Sequence, residues 1–191
     1  TCALPISGKV ANDAGVPVVF DPVGAGATPY RTECSERIIR EVDVSVIKGN
    51  GGEISILAGM GGEMKGVDSA SEGVAAAAKD LAKRTGAVVT MSGPVDYVSD
   101  GKTTYSIDGG HPWLSQVCGS GCALAAITGA YVGANGVSAE VAANSCALFS
   151  VAAELAAKAS RAPGTFSPAF LDMLHDMDGG KLDAMAKVVK L

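Results

Sequence analysis

Three short apolar runs, each followed by a polar glycine-rich segment and then by a helical pattern, constrain this chain more than any other feature. The runs cover 16–20, 44–47 and 87–90, with Pro17 tolerable because it falls at a strand start. Helical patterns follow over 32–42, 53–57 and, after the capping-box spacing Ser69-Ala70-Ser71-Glu72, up to Gly86. A further short helix precedes Gly15. Fully apolar short strands suit burial on both faces, and alternation with helices implies a parallel sheet covered on both sides. From Val95 the pattern changes to a hairpin, Tyr97-Val98-Ser99, the turn Asp100-Gly101, then Thr103-Thr104-Tyr105. The remainder reads as mostly helical, with helices after Ser120, after Ser138 and after Pro163-Gly164, the last with Ser167-Pro168 suited to N-cap and N1.

Composition narrows the class. With 191 residues and 48% hydrophobic content, the chain can bury one substantial core, so one α/β domain over 1–191 is expected. Fifteen Lys and Arg against 20 Asp and Glu give a net charge of -5, without a basic block. Nucleic acid is therefore not an expected partner. The sequence shows no apolar stretch that reads as a membrane span, and no basic-then-apolar signal segment. Five scattered cysteines without a C-x-x-C, beside only two histidines, argue against structural zinc or a disulfide framework, and for a reducing cytoplasm.

In such sheets ligands bind beyond the carboxyl ends of the strands, and the polar loops fall there. They are Asp21-Pro22-Val23-Gly24-Ala25-Gly26-Ala27-Thr28 with Tyr30-Arg31, then Lys48-Gly49-Asn50-Gly51-Gly52-Glu53, then Ser92-Gly93-Pro94-Val95-Asp96. Downstream, Gly119-Ser120-Gly121-Cys122 opens a helix of small residues. Its first amides have no intrahelical partner and carry the positive end of the helix dipole, which is a seat for phosphate. Cys122 stands in that first turn, where a thiolate is favoured. The plainer alternative is a glycine turn with Cys122 as a small hydrophobe. Together the loops offer amides, a guanidinium, an ammonium, a carboxamide and a carboxylate, a set suited to a Mg-bound polyphosphate. Neither a complete G-x-G-x-x-G nor a Walker A motif occurs.

The quoted motifs resemble those of ribokinase-fold kinases. Asn50-Gly51-Gly52-Glu53 is similar to their N-x-x-E motif, and Gly119-Ser120-Gly121-Cys122 to their G-x-G-D anion hole. Cys in place of the Asp, with the segments 21–33 and 47–54 and Pro163-Gly164-Thr165-Phe166, resembles the hydroxyethylthiazole kinase family of thiamine biosynthesis and salvage. The implied fold is ribokinase-like, a mostly parallel sheet flanked by helices on both faces with a β-hairpin late in the sheet. The implied activity is ATP-dependent phosphorylation of a thiazole alcohol in a cytoplasmic homotrimer, with Mg2+ as cofactor.

Residue by residue, the resemblance implies Cys122 as the base that takes the alcohol proton. Arg31, Ser92 and Gly121 would bind ATP and its phosphates, Gly119 would meet the thiazole, and Asn50 and Glu53 would hold Mg2+ through water. Lys48 stands where Arg is expected in many relatives. The family's N-terminal segment, implied to carry early strands and much of the thiazole pocket, has no counterpart here, so the chain is read as N-terminally truncated. Each residue also has a plainer role. Arg31 could pair with Glu33 or Glu36, Asn50 could form a turn, Glu53 could complement a helix dipole from the first turn, and Ser92 could be a turn residue. Asp21 could simply end its strand. Cys118 and Cys146 read as core packing, and neither His111 nor His175 is given a role. The alternatives kept open are a hydroxymethylpyrimidine kinase, an NAD(P)H-hydrate dehydratase of the same fold, and a catalytically incompetent nucleotide-binding fragment.

Overall fold

The computed structural model describes residues 3–60 and 70–191, so the capping box expected at Ser69 lies outside the described residues. The alternating pattern resolves into α1 (Ala3–Asp13), β1 (Val19–Phe20), α2 (Pro29–Glu41), β2 (Val46–Asn50), α3 (Gly51–Leu57), α4 (Ala70–Thr85) and β3 (Val88–Ser92). β4 (Val95–Ser99), β5 (Thr104–Asp108), a 3-10 turn (Pro112–Gln116), α5 (Ser120–Asn135), α6 (Ala139–Ala159), α7 (Pro163–His175), α8 (Gly179–Met185) and β6 (Lys187–Lys190) complete it. The strands form one six-stranded sheet in chain order. β1, β2 and β3 are parallel; β4, β5 and β6 each pair antiparallel with the strand before.

The two-residue period of a strand sorts side chains onto two faces. Val46 pairs with Val88, Lys48 with Thr90 and Asn50 with Ser92, and Thr90 continues to Val98. This face buries Val46, Val88, Val98 and Ile107 against Leu124 and Val132 of α5, Cys146 and Phe149 of α6, and Phe166 of α7. The opposite face buries Ile47, Val89, Met91 and Tyr97 against Ile54 and Leu57 of α3 and Ala77, Ala78 and Leu81 of α4. Helices on both faces, as expected, leave the loops at the strand ends open.

Several local readings shift. The first strand begins at Val19 rather than at 16, while the second and third run on to Asn50 and Ser92. Val95 and Asp96, read as loop, start β4 after the tight Gly93-Pro94 turn. Pro163, not Pro168, takes the first position of α7, and Pro168 lies inside that helix. The expected hairpin turn is tied by Asp100, whose Oδ1 accepts from the amides of Lys102 at 2.9 Å and Thr103 at 2.7 Å. β6 was not expected; its register pairs Val188 with Ile107 at the sheet edge. α6, at 21 residues, is long and apolar enough by composition to cross a membrane, contrary to the sequence reading. Its small residues Ala142, Ala143, Ala152, Ala153 and Ala156 are instead packed within the protein, which makes it the central core helix.

One polar atom in this core stands out. Thr90 is fully buried, and its Oγ1 has no hydrogen-bond partner among the described residues. A buried hydroxyl without a partner costs free energy that an apolar group of the same shape does not. Thr90→Val is expected to stabilise the fold by about 1–2 kcal/mol, read from the urea midpoint at unchanged slope.

Candidate active site

The start of α5 follows from its glycines. Gly119 is the N-cap residue at φ 86° and ψ 1°, a left-handed conformation that glycine adopts without strain, and it has no side chain to cap the helix. The first α-helical bond runs from Ala123 N–H to Gly119 C=O at 2.9 Å. The amides of Ser120, Gly121 and Cys122 therefore have no intrahelical acceptor. The Ser120 hydroxyl donates sideways to Leu114 C=O at 2.7 Å, which ties the helix start to the preceding turn. Cys122 is exposed, so it is not the small core hydrophobe of the plainer reading. Cys118, expected in the core, is also exposed, whereas Cys146 is buried as expected.

A cation lies against this turn. Lys48 is 5% exposed, on the β2 face turned toward α5. Its Nζ donates to Asp21 Oδ2 at 3.3 Å, and a Cβ added at Gly121 would stand 3.0 Å from that nitrogen. A side chain at 121 would push the ammonium back from the helix backbone. Burial pushes the Asp21 carboxyl up despite the opposing Lys48 charge, and the nearby Glu53 carboxylate adds to the rise. From sequence, Lys48 is the ammonium of the loop after the second strand and stands where many relatives have Arg, with nothing to bring it to Gly121.

Asn50 and Glu53 form a reciprocal cap on α3. Asn50 Oδ1 accepts from Glu53 N–H at 3.0 Å, and Glu53 Oε2 accepts from Asn50 N–H at 2.9 Å. Glu53 Oε1 accepts from Gly24 N–H at 2.9 Å, fastening the loop after β1 to the loop after β2. Glu53 thus stands in the first turn of α3 as its plainer reading has it, while Asn50 is the N-cap of that helix. Among the described residues, no group of three His, Cys, Asp or Glu gathers to hold a metal ion. Arg31 stays exposed and pairs with neither Glu33 nor Glu36; its Nη1 donates to Val23 C=O at 3.0 Å, across Gly24.

Beside the α5 start is a cavity of about 580 Å³, lined by Ser92, Asp96, His111, Ser120, Gly121 and Phe149 among others. Ser92 ends β3 and donates to Gly49 C=O at 3.3 Å. His111, given no role from sequence, caps the 3-10 turn by accepting from Trp113 N–H at 3.2 Å and lines the cavity. Asp96 belongs to the loop quoted after the third strand but has no role assigned there. Its Oδ1 accepts from Gly93 N–H at 2.9 Å, and burial pushes its carboxyl up to about 6 against the opposing pull of that bond and of Lys48. Ser92 and Gly121 thus meet at one cavity with Lys48 against Gly121; Gly119 and Cys122 belong to the same turn, and Arg31 belongs to the β1 loop.

An α/β sheet with an uncapped helix start, a buried cation and a cavity at the carboxyl ends of its parallel strands has the architecture of a phosphate-binding enzyme. The sequence profile described as the hydroxyethylthiazole kinase family matches residues 1–179. A hydroxyethylthiazole kinase of Desulfatibacillum aliphaticivorans is 42% identical over 184 residues, 95% of this chain and 69% of its own length. One of Moorella thermoacetica is 43% identical over 190 residues, 97% of this chain and 70% of its own length. The solved hydroxyethylthiazole kinase structure of Pyrococcus horikoshii OT3 superposes at a TM-score of 0.88 with 35% identity, over 98% of this chain and 70% of that one. This chain belongs to the hydroxyethylthiazole kinase family and has the ribokinase-like fold. A Staphylococcus aureus pyridoxal kinase in complex with AMP-PCP and pyridoxal is similar in fold, with a TM-score of 0.56 and 24% identity over 80% of this chain and 57% of its own. The matches favour neither the hydroxymethylpyrimidine kinase nor the hydrate dehydratase alternative.

Proposed function

We propose that this chain transfers the terminal phosphoryl group of ATP to the primary alcohol of hydroxyethylthiazole. The observation that carries the reading is the uncapped α5 start, with Cys122 in its first turn and the Lys48 ammonium behind Gly121. Phosphoryl transfer needs positioning and charge stabilisation more than covalent chemistry, and this arrangement supplies both. In this reading the amides of 120–122 hold the transferring group, Lys48 and Arg31 offset its charge, and Ser92 and Gly121 border the phosphates. Gly119 borders the thiazole, and the nucleoside lies in the adjoining cavity. The Cys122 sulfur takes the alcohol proton as the oxygen attacks phosphorus.

Mg2+ would neutralise phosphate charge when bound. Asn50 and Glu53 fit holding it through water, because their side-chain oxygens are fixed by backbone N–H groups and each oxygen has a second lone pair. The same reading takes the protein as a cytoplasmic homotrimer serving thiamine biosynthesis and salvage, and as one α/β domain. Exposed Leu4, Ile6 and Val10 on α1 support a surface that another subunit covers.

The test is direct. Purified chain with Mg2+, ATP and hydroxyethylthiazole is expected to yield ADP and thiazole phosphate in equal amounts, followed by phosphorus NMR and mass spectrometry. ATP binding without phosphorylated product would overturn the reading in favour of a nucleotide-binding module.

A further inference from the structure

Among the described residues the cavity beside α5 has one acidic side chain on its wall, Asp96, and the proposed mechanism leaves it unused. Asp96 is 9% exposed, on the sheet face that packs against α5 and α6. One carboxylate oxygen is committed to Gly93 N–H, which fixes the turn between β3 and β4. The described residues bring no hydrogen-bond donor to the other oxygen, and that oxygen is not a sealed, unpartnered atom of the core. A carboxylate accepts and does not donate, so an oxygen open to a cavity calls for a ligand rich in hydroxyl or amino donors. The charged or titratable groups around it are Lys48 from β2, Cys146 from α6 and His111 at the cavity rim.

Position decides which part of a nucleotide this is. Ser92, Ser120 and Gly121 bring the proposed phosphate cradle to the cavity, and Phe149 and Pro112 add apolar surface suited to a flat base. Asp96 lines the same cavity and is bonded to Gly93, the neighbour of Ser92, which suits the sugar that joins phosphates to base. A vicinal diol offers two donors to a carboxylate, a pairing that nucleotide sites on α/β sheets use repeatedly. We infer that Asp96 is a specificity-determining residue that accepts hydrogen bonds from the ribose hydroxyls of the nucleoside triphosphate and so selects ribonucleotides. This rests on the proposed placement of the nucleoside in the cavity.

Calorimetric titration with a non-hydrolysable ATP analogue and its 2′,3′-dideoxy counterpart tests it. Hydrogen bonds to a charged group predict that wild-type protein binds the ribose form about tenfold tighter or more. Asp96→Asn should shrink that contrast to below about threefold, with an unchanged circular dichroism spectrum. A merely structural role would weaken both ligands equally and leave the contrast intact. Equal wild-type affinity for the two ligands, or a full contrast in Asp96→Asn, overturns the inference. A separate arm uses Ser115→Trp, at the exposed cavity rim. Loss of both ligands in that variant supports the placement, and unaltered binding overturns the placement itself. An absent wild-type contrast with Ser115→Trp still blocking would overturn the ribose contact alone.

Discussion

Cys122→Ala is expected to lower kcat for thiazole phosphorylation by about a hundredfold to ten-thousandfold, the range a positioned proton acceptor contributes. The nucleotide Kd should stay within about threefold, because the backbone amides that would hold the phosphates remain. Stability should hold within about 0.5 kcal/mol. Cys122 is exposed in the first turn of α5, so its removal opens no cavity in the core. The three readouts separate the explanations: a structural cysteine would lower the urea midpoint, and a nucleotide ligand would raise Kd. A base lowers kcat alone. Cys122→Asp supplies another proton acceptor on the same turn and is expected to recover turnover well above the alanine variant. Equal turnover in wild type and Cys122→Ala would remove Cys122 from the mechanism.

How much of this was legible in the sequence varies with how local the physics is. The α5 start was readable because two glycines before a run of small residues can do little else than open an uncapped helix. The Asn50–Glu53 box is just as local, yet from sequence the two residues read only as a turn former and a first-turn carboxylate, and their reciprocal pairing shows in the structure. Lys48 reads as loop rather than strand, because the apolar run stops at Ile47 while β2 continues to Asn50. Only that continued alternation turns Lys48 toward α5, and its burial depends on Asp21 lying 27 positions earlier. Asp96 was read as loop for a related reason. A two-residue turn at Gly93-Pro94 draws it into β4, and a carboxylate's burial under distant helices leaves no periodic trace. β6 hides in Lys187-Val188-Val189-Lys190, too short and too charged to read as a strand until β5 offers it an edge.

Asp96→Asn should also change how stability depends on pH, and the sign is opposite to that of most carboxylates. The ordinary acidic case appears here in Asp100, whose carboxyl is held low mainly by the Thr103 amide. That group favours folding above its unfolded value and loses the contribution as pH falls. For Asp96 the folded carboxyl is raised from 3.8 to about 6. Between these values the folded state binds more protons than the unfolded state, so stability falls as pH rises. The contribution is complete below 3.8 and gone above about 6. Its size is about 3 kcal/mol, from the free energy equivalent of that displacement. Asparagine does not ionise, so the stability of Asp96→Asn relative to wild type should climb by about 3 kcal/mol from pH 3.5 to pH 7. Urea titrations of both proteins across that range measure the difference, in which every other carboxylate cancels. Parallel curves would show that burial does not disfavour the Asp96 charge. The expected divergence means that the protein keeps at neutral pH a carboxylate that destabilises its fold. Such a cost is commonest where a ligand uses the charge. Bound ribonucleotide should therefore stabilise wild type more than Asp96→Asn, joining the stability measurement to the cavity that the carboxylate faces.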